Sequence, residues 1–223
     1  MVAETYGGHV WLEKLTDDAN PWLTAIRMED QGELEKAALL YLDDASNCLE
    51  SSTAVRAALG ATCAADCLVR LGLPENGRRL YHVAGMLYWD NADARLATSV
   101  RESLWSLQEA HEAFLLAGEE DNAKQVSRLY TSLARRANPF IGERDAFTLP
   151  TKGDLAAETG KAEAAINYAV ASADLTRAYE RFLSAREQQR ARKAAEKKVV
   201  VHQGEGGKEV EMLDAQSFVG QLG

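Results

Sequence analysis

The sequence predicts an all-α protein: stacked antiparallel helix pairs in an α-solenoid-like array, then a long C-terminal helix and a small β-hairpin tail. Three observations carry that prediction. Glycine-containing breaks at Gly32, at Gly72–Gly77 and at Gly118 each separate two helical patterns. Between the breaks, apolar residues recur every three or four positions, the period of one helix face. Only 4 prolines and 16 glycines stand among 223 residues, and the abundant alanine and leucine favour helix. A run of helix pairs that share one core is the signature of a repeat array.

The elements follow in order. Asn20 reads as an N-cap with Pro21 in the first turn. Trp22, Leu23 and Ile26 mark one face, and Gly32 ends the helix. Its partner carries Leu34, Ala38, Tyr41, Ala45 and Leu49. A second pair starts near Ser52 and Thr53, with Val55, Leu59, Thr62, Ala65 and Leu68 as its inner stripe. After the Gly72–Gly77 loop come Leu80, Ala84, Leu87 and Tyr88. A third pair starts near Ala97, with Val100, Leu104, Leu107, His111 and Phe114 or Leu115. Beyond Gly118 lie Val126, Leu129, Leu133 and Ala137, and Asn138-Pro139 stops the helix because proline cannot extend the hydrogen-bond ladder. The organisation expected is a helical-repeat domain over 1–140, a connecting loop over 141–153, a long helix over 154–198 and a hairpin tail over 199–223. An interruption of the long helix is expected, if anywhere, at Gly160.

On the long helix, Tyr168, Ser172, Leu175, Tyr179 and Phe182 step by four and three. That stripe suits packing on the chain's own array or a self-association seam. The run from Arg186 to Lys198 holds six basic and two acidic residues. It reads as a solvated helix end or as a contact for an acidic partner, nucleic acid or an anionic surface. No aromatic is interleaved, so stacking on single strands is not supported. Val199–Val201 and Val210–Leu213 flank Gly204-Glu-Gly-Gly207, which reads as a hairpin that needs a surface to lie on. The last residues, with Phe218, form one short amphipathic turn.

Charge and composition exclude several classes. Residues 1–150 hold 14 Lys and Arg against 23 Asp and Glu, a net of -9, whereas residues 151–223 hold 11 of each. The array therefore repels phosphate backbones. No apolar run approaches the ~20 residues of a membrane span, and no secretory signal opens the sequence. A cytoplasmic protein is the expectation. Cys48, Cys63 and Cys67 are an odd set on apolar helix faces, as for reduced, packed thiols.

Gly32, Leu34, Ala37 and Tyr41 match the turn glycine and the small and aromatic packing residues of a tetratricopeptide-type second helix. Over roughly residues 20–140 the chain resembles that family, and more loosely the soluble attachment-protein adaptors of membrane fusion. The breaks depart from the pattern. Gly32 to Gly72 is 40 residues and Gly72 to Gly118 is 46, against ~34 for the repeat. Asp44 stands where the family has alanine. The resemblance implies a protein-binding array, without transferable peptide-binding residues.

Chemical motifs are missing. Cys63 and Cys67 lie one turn apart without a second ligand pair, so no metal site is expected. Gln108 precedes His111 and Arg79 precedes His82 by three, where a carboxylate-bridged di-metal bundle needs glutamate. No phosphate-binding loop, nucleophile elbow or dinucleotide fingerprint occurs. Asp17-Asp18, Asp43-Asp44 and Glu119-Glu120 read as solvated caps. Neither an enzyme nor a cofactor is expected. Trp22, Trp89 and Trp105 are expected in the core, with Trp89, at a helix end, a partner anchor if exposed. The expectation is a non-enzymatic adaptor or scaffold subunit. Its candidate partner-binding residues are Trp89, Tyr168, Leu175, Tyr179, Phe182, Arg190, Arg192, Lys193 and Phe218. The alternative is a subunit of a nucleic-acid-associated assembly that uses the basic helix 186–198.

Overall fold

The computed structural model describes residues 20–51, 53–137, 149–151, 153, 155 and 171–203, with side chains of the last helix described to residue 195. Among them the chain is all-helical. The helices are α1 (Pro21–Asp30), α2 (Leu34–Glu50), α3 (Ala54–Arg70), α4 (Pro74–Arg95), α5 (Val100–Ala117), α6 (Glu120–Ala137) and α7 (Ala173–Gln203). Each of α1 to α6 packs on its neighbours in sequence, and α7 packs on α2.

One device repeats along the array. α1, α3 and α5 each end on a glycine with positive φ: Gly32 at 78°, Gly72 at 81° and Gly118 at 82°. Only glycine holds that conformation without a Cβ penalty. At each, the glycine and the residue after it return their N–H groups to the final turn: Glu33 to Met28 at 2.8 Å, Leu73 to Leu68 at 2.8 Å and Glu119 to Phe114 at 2.8 Å. The joints after α2 and α4 use hydroxyls instead. Thr53 Oγ1 donates to the Cys48 carbonyl, and Ser99 Oγ accepts from the Glu102 N–H. Glycine thus closes the first helix of each pair and a hydroxyl residue closes the gap between pairs.

Small residues set the spacing of the core. Ala37, Ala38, Ala45, Ala57, Ala58, Ala61, Ala64 and Ala65 are fully buried. A Cβ on Gly60 would stand 3.0 Å from the Ala45 Cβ and 3.1 Å from the Tyr41 carbonyl, so α2 and α3 approach closely there. Tyr41, Leu80, Leu87, Tyr88 and Phe114 fill the wider gaps.

The structure corrects several expectations. The inner face of α3 is Ala58, Ala61, Ala65 and Leu68, while Leu59 points outward and Val55 and Thr62 are half-buried. Close approach to α2 selects the alanine face and turns the larger side chain to solvent. Ile26 and Val100 are exposed for the same reason of phase, with Ala25 the buried residue of α1. Gly77 lies inside α4, which begins at Pro74, and a Cβ on it would run into Val69. α5 starts at Val100 on a Ser99 cap, later than Ala97. Asp44 is buried and paired, no solvated cap: the Arg56 guanidinium grips it through two bonds of 3.0 and 3.1 Å. The long helix does not run unbroken from 154, because Ala171 and Ser172 are non-helical and Ser172 Oγ caps Leu175 at 3.2 Å. At its other end α7 continues through Val199–Gln203, so the first expected hairpin strand is helical. The rest of that hairpin lies outside the described residues.

Candidate interaction surface

α7 is docked by its apolar stripe. Leu175, Ala178, Tyr179 and Phe182 are buried against the array. Arg181 reaches α2, with Nη2 2.9 Å from Asn47 Oδ1 and Nη1 3.3 Å from Asp43 Oδ1. On α4, the Arg79 guanidinium lies 5.9 Å from the centre of the Tyr179 ring. Further along, Arg186 is almost fully buried and donates to Asp90 at 2.8 Å and to Gln189 at 2.6 Å. Lys193 Nζ also approaches Asp90, at 3.8 Å. The helix therefore bridges α2 and α4, and its stripe is covered by the chain's own residues.

The other candidate residues divide accordingly. Trp89 is 9% exposed and packs edge-on against Phe114 at 6.1 Å. Arg190 and Arg192 are exposed, as is Lys193. Tyr168 and Phe218 lie outside the described residues.

A different tryptophan faces solvent. Trp105 on α5 is 44% exposed, and its ring meets Tyr88 at 5.8 Å, edge to face. Leu59 on α3 is 41% exposed. Between and beside them the odd-numbered helices carry carboxylates, and the even-numbered helices send tyrosines up to them. Tyr41 of α2 donates to Glu29 of α1 at 3.0 Å. Tyr81 of α4 donates to Asp66 of α3. Tyr88 of α4 lies against Trp105 and within the field of Glu109 and Glu112 of α5. Burial raises all three tyrosine pKa values, and the neighbouring carboxylates add to the effect. The hydroxyls therefore stay protonated donors.

The carboxylates are unequal. Glu29 receives Arg70 at 2.6 Å. Asp66, Glu109 and Glu112 have no ion-pair partner among the described residues. Burial raises Asp66, and the Tyr81 hydrogen bond and Arg70 only partly offset it. Burial and the adjacent Glu112 raise Glu109, with a hydrogen bond from Trp105 in opposition. Gln108 donates to Glu112 at 3.3 Å. The surface thus joins two exposed apolar side chains to three half-buried acids that lack a cation.

The sequence signal for this surface was the phase of Trp105. It falls one residue off the Leu104–Leu107–His111–Phe114 stripe, which turns it outward on an α-helix.

The cysteines and His111 serve packing in this structure. Burial pushes the Cys63 and Cys67 thiols up to about 12, and raises Cys48 as well. His111 holds the Ala123 carbonyl at 2.9 Å with Nδ1 and the Pro150 carbonyl at 3.0 Å with Nε2, so both ring nitrogens are engaged. Among the described residues, no three His, Cys, Asp or Glu side chains stand together as a metal site. No described helix is long and apolar enough to cross a membrane. Comparisons with protein-family models, with curated protein sequences and with solved structures return no match.

Proposed function

We propose that this chain is a non-enzymatic protein–protein interaction adaptor or scaffold subunit, cytoplasmic and built on tetratricopeptide-like helical repeats arranged as a solenoid. The observation that carries this reading is the surface of α3 and α5. It exposes Trp105 and Leu59 beside carboxylates with no cation of their own, whereas the apolar stripe of α7 is already covered. Exposed aromatics rimmed by polar groups are the usual anchors of protein interfaces. Affinity purification of the wild-type chain and of Trp105→Ala from the source cell tests it. A defined set of co-eluting proteins lost in the variant supports the reading. An identical set from both overturns the assignment of this surface.

The nucleic-acid alternative has less support. Arg186 and Lys193 direct their charge to Asp90, which leaves Arg190 and Arg192 as the exposed cations of the described basic run. Co-purifying RNA that is lost on Arg190→Glu/Arg192→Glu would favour it.

A further inference from the structure

The acids of this chain fall into two groups. Asp44, Glu29 and Asp90 are each met by a guanidinium, from Arg56, Arg70 and Arg186. Asp66, Glu109 and Glu112 are not, although Asp66 and Glu109 are buried enough for desolvation to penalise their charge. A half-buried carboxylate without a cation costs stability that folding alone gives no reason to spend. All three lie on α3 and α5, the helices that also expose Leu59 and Trp105. The complementary feature is on the same chain. The end of α7 exposes Arg190 and Arg192, and the helix goes on through Lys197, Lys198 and Val199–Val201. It is a helical segment that is first basic, then apolar, and it departs from the dock once Arg186 and Lys193 have engaged Asp90.

We infer that the α3–α5 surface is occupied by the basic end of α7 from a second copy of this chain, with Arg190 and Arg192 set against Glu109, Glu112 and Asp66 and the valines directed to Trp105 and Leu59. This occupant rests on the reading of that surface as a docking face. Opposite charges across an interface fix partner and register, and a like charge in their place is strongly repelled. Because the donor segment and the acceptor surface are different patches, the contact is heterologous. It closes into a reciprocal pair or ring, or extends.

The test is sedimentation of the full chain at ~0.15 M salt, which limits the long-range repulsion between two copies of net charge -9. The wild-type chain should associate reversibly in the micromolar range, as for a small interface. Glu109→Lys and Arg190→Glu/Arg192→Glu should each weaken association at least ~10-fold. Glu112→Lys serves as a second acceptor variant if Glu109→Lys reduces the helical signal. Mixing the Glu109→Lys chain with the Arg190→Glu/Arg192→Glu chain should restore association, since each supplies what the other's reversed patch now attracts. A wild-type chain that stays monomeric overturns the inference, as does association indifferent to both reversals. Loss without rescue on mixing overturns it too. None of these results touches the proposed function: a monomer whose partner set still depends on Trp105 would keep that reading and lose only this occupant.

Discussion

Removal of the Tyr41 side chain tests the packing of the first helix pair directly. Tyr41 is 2% exposed, its ring takes the edge of Trp22 at 5.1 Å, and its hydroxyl donates to Glu29 at 3.0 Å. Truncation of a buried aromatic to alanine costs ~3–5 kcal/mol in lost burial and cavity. Tyr41→Phe separates the two contributions. A hydrogen bond to a charged group is worth ~1.5–3 kcal/mol. Glu29 keeps Arg70 and reaches solvent, so the hydroxyl falls below that range, at about 1 kcal/mol. For a chain of this size each kcal/mol moves Tm by ~2–4 °C. Tyr41→Ala should therefore lower Tm by ~6–20 °C and Tyr41→Phe by ~2–4 °C. Circular dichroism at the helical band reads both. A fall of a degree or less for the alanine variant refutes the packing argument. Equal damage from both variants would put the energy in the hydroxyl instead of the ring.

Three further outcomes follow from the same geometry. Asp66 is raised by burial, so the folded chain binds that proton more tightly than the unfolded one. Its contribution to stability is therefore favourable at low pH and declines as pH rises from ~3.9 through the raised value; Asp66→Asn should flatten that segment of the Tm–pH curve, and an unchanged slope would contradict the assignment. The raised thiols should resist iodoacetamide in the native chain at pH 8, with mass spectrometry showing three adducts only after unfolding; rapid native labelling of Cys63 or Cys67 would count against their burial. At the α7 dock, Asp90→Ala strands the buried Arg186 charge and should cost ~1–3 kcal/mol, below the fully buried case because Asp90 is a third exposed; Arg186→Met should cost less, and the reverse order in urea melts would show that the pair is not the organising contact.

Legibility in the sequence tracked the physical origin of each feature. The pair boundaries were readable because Gly32, Gly72 and Gly118 sit where the backbone needs positive φ, a local requirement. The docking of α7 was half readable. The stripe Leu175, Tyr179 and Phe182 announced a covered face, and both its own array and a second copy were open as the cover. The phase of α3 was misread because large apolar residues were given priority. In a tightly packed pair the alanines go inside, and Leu59 is left out. The Val199 run reads as β-prone in isolation, yet α7 carries it as helix, because a helix already docked through nearly four turns propagates into residues of lower propensity. The acidic surface was hardest to see. Glu29, Asp66, Glu109 and Glu112 are scattered over three helices, and only the stacking of those helices brings them near one row of tyrosines.

The raised carboxylates also tie stability to association. While the surface is free, protonation of Glu109 relieves the cost of its burial and favours the folded chain. A guanidinium placed beside it has the opposite preference, since it favours the ionised form. Docking must then draw the Glu109 pKa down and release protons in the range between the docked and free values. By linkage, the same proton that steadies the isolated chain opposes its assembly. Sedimentation across pH 4.5–7 should show association weaken as pH falls, while Tm of the dilute chain does not fall in step. Glu109→Gln should lose that pH dependence and associate more weakly at neutral pH. If association strengthens as pH falls, the contact does not use the ionised acid, and charge pairing is not what holds the copies together.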